Sequence, residues 1–132
     1  MTSPILAGLR VLVVEDEFMI AMLIEQTLAD NDCVVVGSCS NVSDALQLAQ
    51  SGSFDLTVLD VNLRGEKVYP VAEMLERRGI PFVLLSGYGK EAIPPGHPDW
   101  RACSKPFTSS TLVEILTLQI GGRRHEVEPL LL

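Results

Sequence analysis

The sequence predicts an α/β fold in which a doubly wound, five-stranded parallel sheet is covered by helices on both faces. Three observations carry that prediction. Apolar runs alternate with amphipathic segments along most of the chain. Several of those runs, such as RVLVV and VLL, are continuous rather than alternating, the mark of strands buried on both faces and crossed over by helices. Polar residues capable of chemistry stand directly behind three of the runs: Glu15 with Asp16, then Asp60, then Ser86.

The elements follow in order. RVLVVED (10–16) reads as the first strand, and FMIAMLIEQTLAD (18–30) as a helix with Ile20, Ala21, Ile24 and Leu28 at core spacing. CVVVGSC (33–39) is the second strand. NVSDALQLAQSG (41–52) is a helix with Asn41 or Ser43 as its cap and Gly52 as its stop. FDLTVLD (54–60) is the third strand, KVYPVAEMLERRG (67–79) a helix, and PFVLLSG (81–87) the fourth strand. The stretch from 87 to 100 holds three prolines and three glycines, so a long mobile loop is expected where a helix would otherwise stand. RACS (101–104) is a short fifth strand, and TSSTLVEILTLQIGG (108–122) a closing helix with a glycine stop. The domain is expected to span 8–120, between an N-terminal extension at 1–7 and a tail at 121–132 that ends in three leucines.

Composition narrows the function. A chain of 132 residues, 47% of them hydrophobic, supports one core and one domain. Seventeen acidic against ten basic residues give a net charge of −7, which repels a phosphate backbone and argues against nucleic acid as a partner. Three cysteines, Cys33, Cys39 and Cys103, without a CxxC pair, indicate neither a disulfide framework nor a zinc site and read as small apolar residues in a reducing cytosol. No basic leader with a cleavable apolar stretch and no run of membrane-spanning length is present, so a soluble, cytoplasmic protein without membrane insertion is expected. His97 and His125, in a Pro-rich loop and the tail, read as solvated surface.

In doubly wound sheets ligands sit beyond the carboxyl ends of the strands, and there Glu15, Asp16 and Asp60 should converge. Carboxylates within about 4 Å repel by several kcal/mol unless a cation or a proton compensates. Magnesium suits such a set, since it binds through one or two carboxylates and takes a phosphate oxygen as a further ligand. Lys105 follows the fifth strand, and a cis bond to Pro106 is within its means; its ammonium reaches the same place, and Ser86 offers a hydroxyl. Nucleophilic carboxylate, metal, lysine and hydroxyl make a phosphoryl-transfer site. Asp60 stands alone on its loop and is the expected acceptor, whereas the pair Glu15 and Asp16 suits metal binding.

An acidic pair in VVEDE, an aspartate in VLDVNL, a serine in LLSGYG and a Lys-Pro in SKPF together resemble the receiver domain of bacterial two-component response regulators, over about residues 8 to 120. PFVLLSGYG is similar to the PFxFATGYG signature of a stand-alone, single-domain receiver subgroup of alphaproteobacteria. The resemblance implies a flavodoxin-like, CheY-like fold with strand order 2-1-3-4-5, in which the proline- and glycine-dense stretch takes the place of much of the fourth helix. It implies Asp60 as phosphoacceptor, Mg2+ held by Glu15, Asp16, Asp60 and the backbone carbonyl of Asn62, and Ser86 and Lys105 as readers of the phosphoryl group. The donor it implies is a histidine kinase or a histidine phosphotransfer protein. Signalling would then run through contact with a downstream protein or through phosphorelay, with slow self-dephosphorylation and no other enzymatic activity.

Where most receivers carry an aromatic three residues before the lysine, this chain has Ala102. Tyr88 is expected to substitute in the switch, and Asn62 with Tyr88 to tune phosphate lifetime. Phe18, Met19 and Met22 lie off the core stripe of the first helix, beside the acceptor pocket, and are expected to dock the partner. The wide apolar arc of the last helix could serve a homodimer. Three rivals compete with this reading: a haloacid-dehalogenase-like phosphatase, a flavodoxin-like nucleotide or flavin binder, and a degenerate receiver acting by contact alone.

Overall fold

The protein is described by a computed structural model over residues 4–87 and 92–127. Its elements in chain order are β1 (Arg10–Val14), α1 (Phe18–Asp30), β2 (Val34–Cys39), α2 (Val42–Ser51), β3 (Leu56–Asp60), β4 (Asn62–Leu63), β5 (Glu66–Lys67), α3 (Tyr69–Arg77), β6 (Phe82–Ser86), β7 (Ala102–Ser104) and α4 (Ser109–Val127). The main sheet runs β2-β1-β3-β6-β7, all pairs parallel. Counted as the five strands expected from sequence, that is the order 2-1-3-4-5.

Alternation across the pleat divides the core in two. Leu12, Val14, Leu59 and Leu84 face α2 and α3, while Val11, Val13, Val58, Val83 and Leu85 face α1 and α4. β3 and β6 are buried along their whole length, which is why their sequences show no polar alternation. Each fully buried leucine or valine among them contributes about 1.5–3 kcal/mol. Leu6, ahead of β1, is completely buried in the second core and its carbonyl accepts from Cys33 Sγ. All three cysteines are free and buried, as apolar residues would be.

Helix α1 buries Ala21, Ile24, Thr27 and Leu28, with Ile20 partly covered, close to the stripe expected. In α2 the cap is Asn41, whose Oδ1 accepts the Asp44 N–H at 2.8 Å. Gly52 closes that helix for want of space: a Cβ there would lie 2.6 Å from the Leu48 carbonyl oxygen.

Four features depart from the sequence reading. Residues 62–67 form an antiparallel hairpin, and α3 starts only at Tyr69. Arg64 and Gly65 at its tip both have positive φ, 52° and 88°, the geometry of the tight turn whose twist matches two antiparallel strands. Helix α4 continues through Gly121 and Gly122 to Val127, since glycine in a helix interior costs about 1 kcal/mol and is no obligatory stop. The described part of the irregular segment, from Ala92 to Trp100, contains no α-helix, as expected, but it is docked. Trp100 is buried against Phe82, Trp100 Nε1 donates to Glu76 Oε2 at 2.7 Å, and the Tyr69 hydroxyl donates to the Ala92 carbonyl. His97 is half-buried instead of solvated: its ring stacks on Trp100 at 3.8 Å, and Nδ1 lies 3.5 Å from Glu76 Oε1. The side chain of His125 and the terminal leucines lie outside the described residues.

Candidate functional site

Four strand ends build the site. β1 stops at Val14, where the Glu15 N–H donates to the Cys39 carbonyl and turns the chain so that Glu15 and Asp16 leave the sheet together. β3 ends on Asp60 itself, paired with Leu85 of β6, and β6 ends on Ser86. Lys105 follows β7 and its N–H donates to the Ser86 carbonyl at 2.8 Å. The Lys105–Pro106 bond is cis.

The side chains meet. Lys105 Nζ lies 2.9 Å from Glu15 Oε1, 3.3 Å from Asp60 Oδ2 and 3.9 Å from Glu17 Oε1. The contact with Glu15 Oε1 is close but not a well-directed hydrogen bond, as that oxygen has no hydrogen-bond partner of good geometry. Glu15, Asp60 and Ser86 are all buried. Carboxylate oxygens of Glu15, Asp16 and Asp60 lie within 4.8 Å of one another. A cleft of about 290 Å³ opens over them, lined by Asp60, Asn62, Lys67, Ser86 and Lys105 among others. The Asn62 N–H donates to Asp60 Oδ1 at 3.4 Å.

Electrostatics follow from this crowding. Burial, and next the neighbouring Asp60, push the Glu15 carboxyl up to about 8. Burial also works against the charged form of Asp16, but the Arg64 N–H, 3.1 Å from Oδ2, helps to outweigh it and holds Asp16 below its ordinary value. For Lys105 burial favours the neutral amine, yet Glu15 and Asp60 prevail and raise it. A buried carboxyl that holds a proton near neutral pH beside two further carboxylates is a place where a cation can replace that proton. The donor set of hard oxygens suits magnesium.

The structure thus brings together Glu15, Asp16, Asp60, Ser86 and Lys105, with Asn62 at the rim. Phe18 and Met19, each 75% exposed, and Met22 at 51% stand on α1 just beyond Glu17. Tyr88 lies outside the described residues. Ala102 is paired with Leu84 and packs on the core below the site, with no aromatic ring at its position. Two cleft residues escaped the sequence reading. Glu17 was visible as the third acid of EDE, but Lys67 could be found only by seeing the hairpin.

The profile of the response regulator receiver domain family matches residues 11–117. The solution structure of SdrG from Sphingomonas melonis Fr1 is similar at 38% identity and a TM-score of 0.76, with 86% of this chain and 97% of that one covered. The receiver domain of sensor histidine kinase PA1611 from Pseudomonas aeruginosa PAO1, solved with a magnesium ion coordinated in its active site cleft, is 23% identical. Its TM-score is 0.69 over 87% of this chain and 99% of that one, a likeness of fold. The transcriptional regulatory protein PdtaR of Mycobacterium tuberculosis is 28% identical over 120 residues, covering 88% of this chain and 58% of its own length. The chain spans little more than half the length of the curated relatives it matches.

Proposed function

The chain belongs to the response regulator receiver domain family, and from that premise we propose that Asp60 accepts a phosphoryl group from a histidine kinase or a histidine phosphotransfer protein. The observation that carries the assignment is the position of Lys105 Nζ, within 3.3 Å of both Glu15 Oε1 and Asp60 Oδ2 at the end of β3. A buried carboxylate aimed into an open cleft beside a fixed ammonium is an activated nucleophile with its charge stabiliser already in place.

Asp60 supplies the attacking oxygen, and the phosphorus–nitrogen bond to the donor imidazole breaks as the aspartyl phosphate forms. Lys105 and the Ser86 hydroxyl receive the phosphoryl oxygens. Glu15, Asp16, Asp60 and the Asn62 carbonyl would hold Mg2+, which when bound neutralises charge on the transferring group. Asn62 stands at the rim where a hydrolytic water must enter and, with Tyr88, sets phosphate lifetime. Slow self-dephosphorylation is the extent of the enzymatic activity proposed. Among the described residues no helix is long and apolar enough to cross a membrane.

Output runs through altered contact with a downstream protein or through phosphorelay. The receiver unit proposed is 8–120, and the exposed Leu118 of α4 offers a face for a second copy. A haloacid-dehalogenase-like phosphatase needs a second aspartate two residues beyond the nucleophile, where this chain has Asn62. The full acid, hydroxyl and lysine set favours a working receiver over a degenerate one.

The test is intact mass after incubation with Mg2+ and acetyl phosphate, with Asp60→Asn alongside. Gain of one phosphoryl group by the wild type alone supports the reading. Equal behaviour of the two proteins, with magnesium bound to both, would sink it. For docking, Met22→Glu is expected to slow transfer from a phosphohistidine partner about tenfold or more, as losing an apolar anchor does, while the denaturation midpoint stays put because Met22 is half-exposed. An unchanged transfer rate would remove α1 from the interface.

A further inference from the structure

We propose that Lys67 is a donor-recruiting residue of this site: its ammonium meets the anionic oxygens of the incoming phosphodonor at the mouth of the cleft. The inference rests on the reading of Asp60 as acceptor and names a residue that the receiver motifs do not include. Lys67 is directly opposite Asn62 in the β4–β5 hairpin. Facing residues of an antiparallel pair project to the same side, with Cβ atoms about 4.5–5.5 Å apart. Asn62 in turn is hydrogen-bonded through its backbone N–H to Asp60 Oδ1. The exposed Lys67 side chain is therefore registered to the acceptor through a single cross-strand pair, and it lines the same cleft as Asp60, Ser86 and Lys105.

The hairpin that carries it is fixed. The Arg64 N–H donates to Asp16 Oδ2 at 3.1 Å, and the Val68 N–H donates to the Val61 carbonyl at 2.9 Å. Leu63 and Val68 are buried in the core. Six residues of sequence, NLRGEK, thus serve as a short rigid arm that returns a lysine to the point where the chain left Asp60.

Charge supplies the reason. Asp16, Glu17 and Asp60 line the cleft and Glu15 lies beneath it, while Lys105 is engaged by Glu15 and Asp60. A phosphodonor carrying two negative charges must pass the carboxylates of Asp16 and Glu17 on its way in. A flexible ammonium at the rim offsets that repulsion during approach. With acetyl phosphate, an Asp60 oxygen forms a bond to phosphorus as the phosphorus–oxygen bond to the acetyl group breaks. Acetate leaves with the electron pair and no proton moves, so an ammonium at the mouth of the cleft also favours the anion that departs.

The experiment is the initial rate of phosphorylation by acetyl phosphate in the full chain, followed by intact mass, for wild type and Lys67→Gln, Lys67→Glu and Lys67→Arg. Rates are taken at low ionic strength and at about 0.5 M salt, where charge effects beyond a few ångströms are screened. The Gln variant is expected to be about three- to tenfold slower at low salt and the Glu variant slower still. Arg should restore the rate, the differences should shrink at high salt, and the unfolding midpoint should not move, since the side chain is exposed. Equal rates for wild type and Gln, or a deficit that ignores salt and follows loss of stability, would overturn the role of Lys67 while leaving Asp60 as acceptor. Failure of the wild type itself to gain mass beyond Asp60→Asn would instead overturn both readings, so the two failures are distinguishable.

Discussion

Lys105→Met is expected to slow phosphorylation of Asp60 by about two to three orders of magnitude, the usual cost of removing one preorganised charge stabiliser. It should also make stability depend on pH more steeply. In the metal-free wild type, Glu15 is raised from 4.5 to about 8. The folded state therefore holds a proton that the unfolded chain releases, and stability present below the unfolded value is lost as pH rises towards 8. Lys105 is itself raised above 10.5 by its two carboxylates, so its contribution persists until pH passes that value. Removing it withdraws the group that counters further elevation of Glu15.

At about pH 5, with Glu15 protonated, the substitution should therefore cost less, since only the Asp60 carboxylate then loses a charged partner. At about pH 9 it should cost about 3 kcal/mol or more, because buried carboxylates are left uncompensated. Urea denaturation at the two pH values, without metal, measures the difference. A cost independent of pH would show that Lys105 contributes by packing and not by charge. Saturating Mg2+ should recover part of the loss at the higher pH, since binding to the folded state alone stabilises it.

Trp100→Ala is expected to cost about 3–5 kcal/mol, a large share of the total stability of a domain this size. The ring is buried, meets Phe82 edge to face at 5.2 Å, carries the stacked His97 and spends its N–H on Glu76. Losing it leaves a cavity beside Phe82 and removes two of the contacts that hold the irregular segment, those to Phe82 and Glu76. Phosphorylation by acetyl phosphate should survive at temperatures where the variant remains folded. Trp100 packs on Phe82 at the start of β6, about 13 Å along the strand from Ser86. A denaturation midpoint close to wild type would mean that the segment is held by Tyr69 and the backbone alone.

Much of this was legible because the signals are local. Continuous apolar runs identify buried parallel strands, and the residue behind each run must emerge at the same edge of the sheet, so Glu15, Asp16, Asp60, Ser86 and Lys105 could be gathered from the sequence alone. The hairpin at 62–67 was not legible. Its turn carries Arg64 where a hairpin of this type usually signals itself with asparagine or aspartate, and two-residue strands show no periodicity. With it went Lys67, whose nearness to Asp60 depends on a chain reversal and not on spacing.

The dockings of Trp100 and His97 were hidden for a related reason. A segment dense in proline and glycine has no repeating hydrogen-bond pattern, and whether it is mobile or pinned depends on which distant side chains receive it, here Phe82 and Glu76. By itself the sequence determined the layers, the strand order through the family motifs, and which acidic, hydroxyl and lysine side chains stand at the strand ends, because these rest on periodicity and on residues fixed to those ends. Only the tertiary structure decided the upward shift of Glu15, the double engagement of Lys105, the return of Lys67 and the anchoring of the irregular segment, because each depends on distances between parts of the chain that no local pattern encodes.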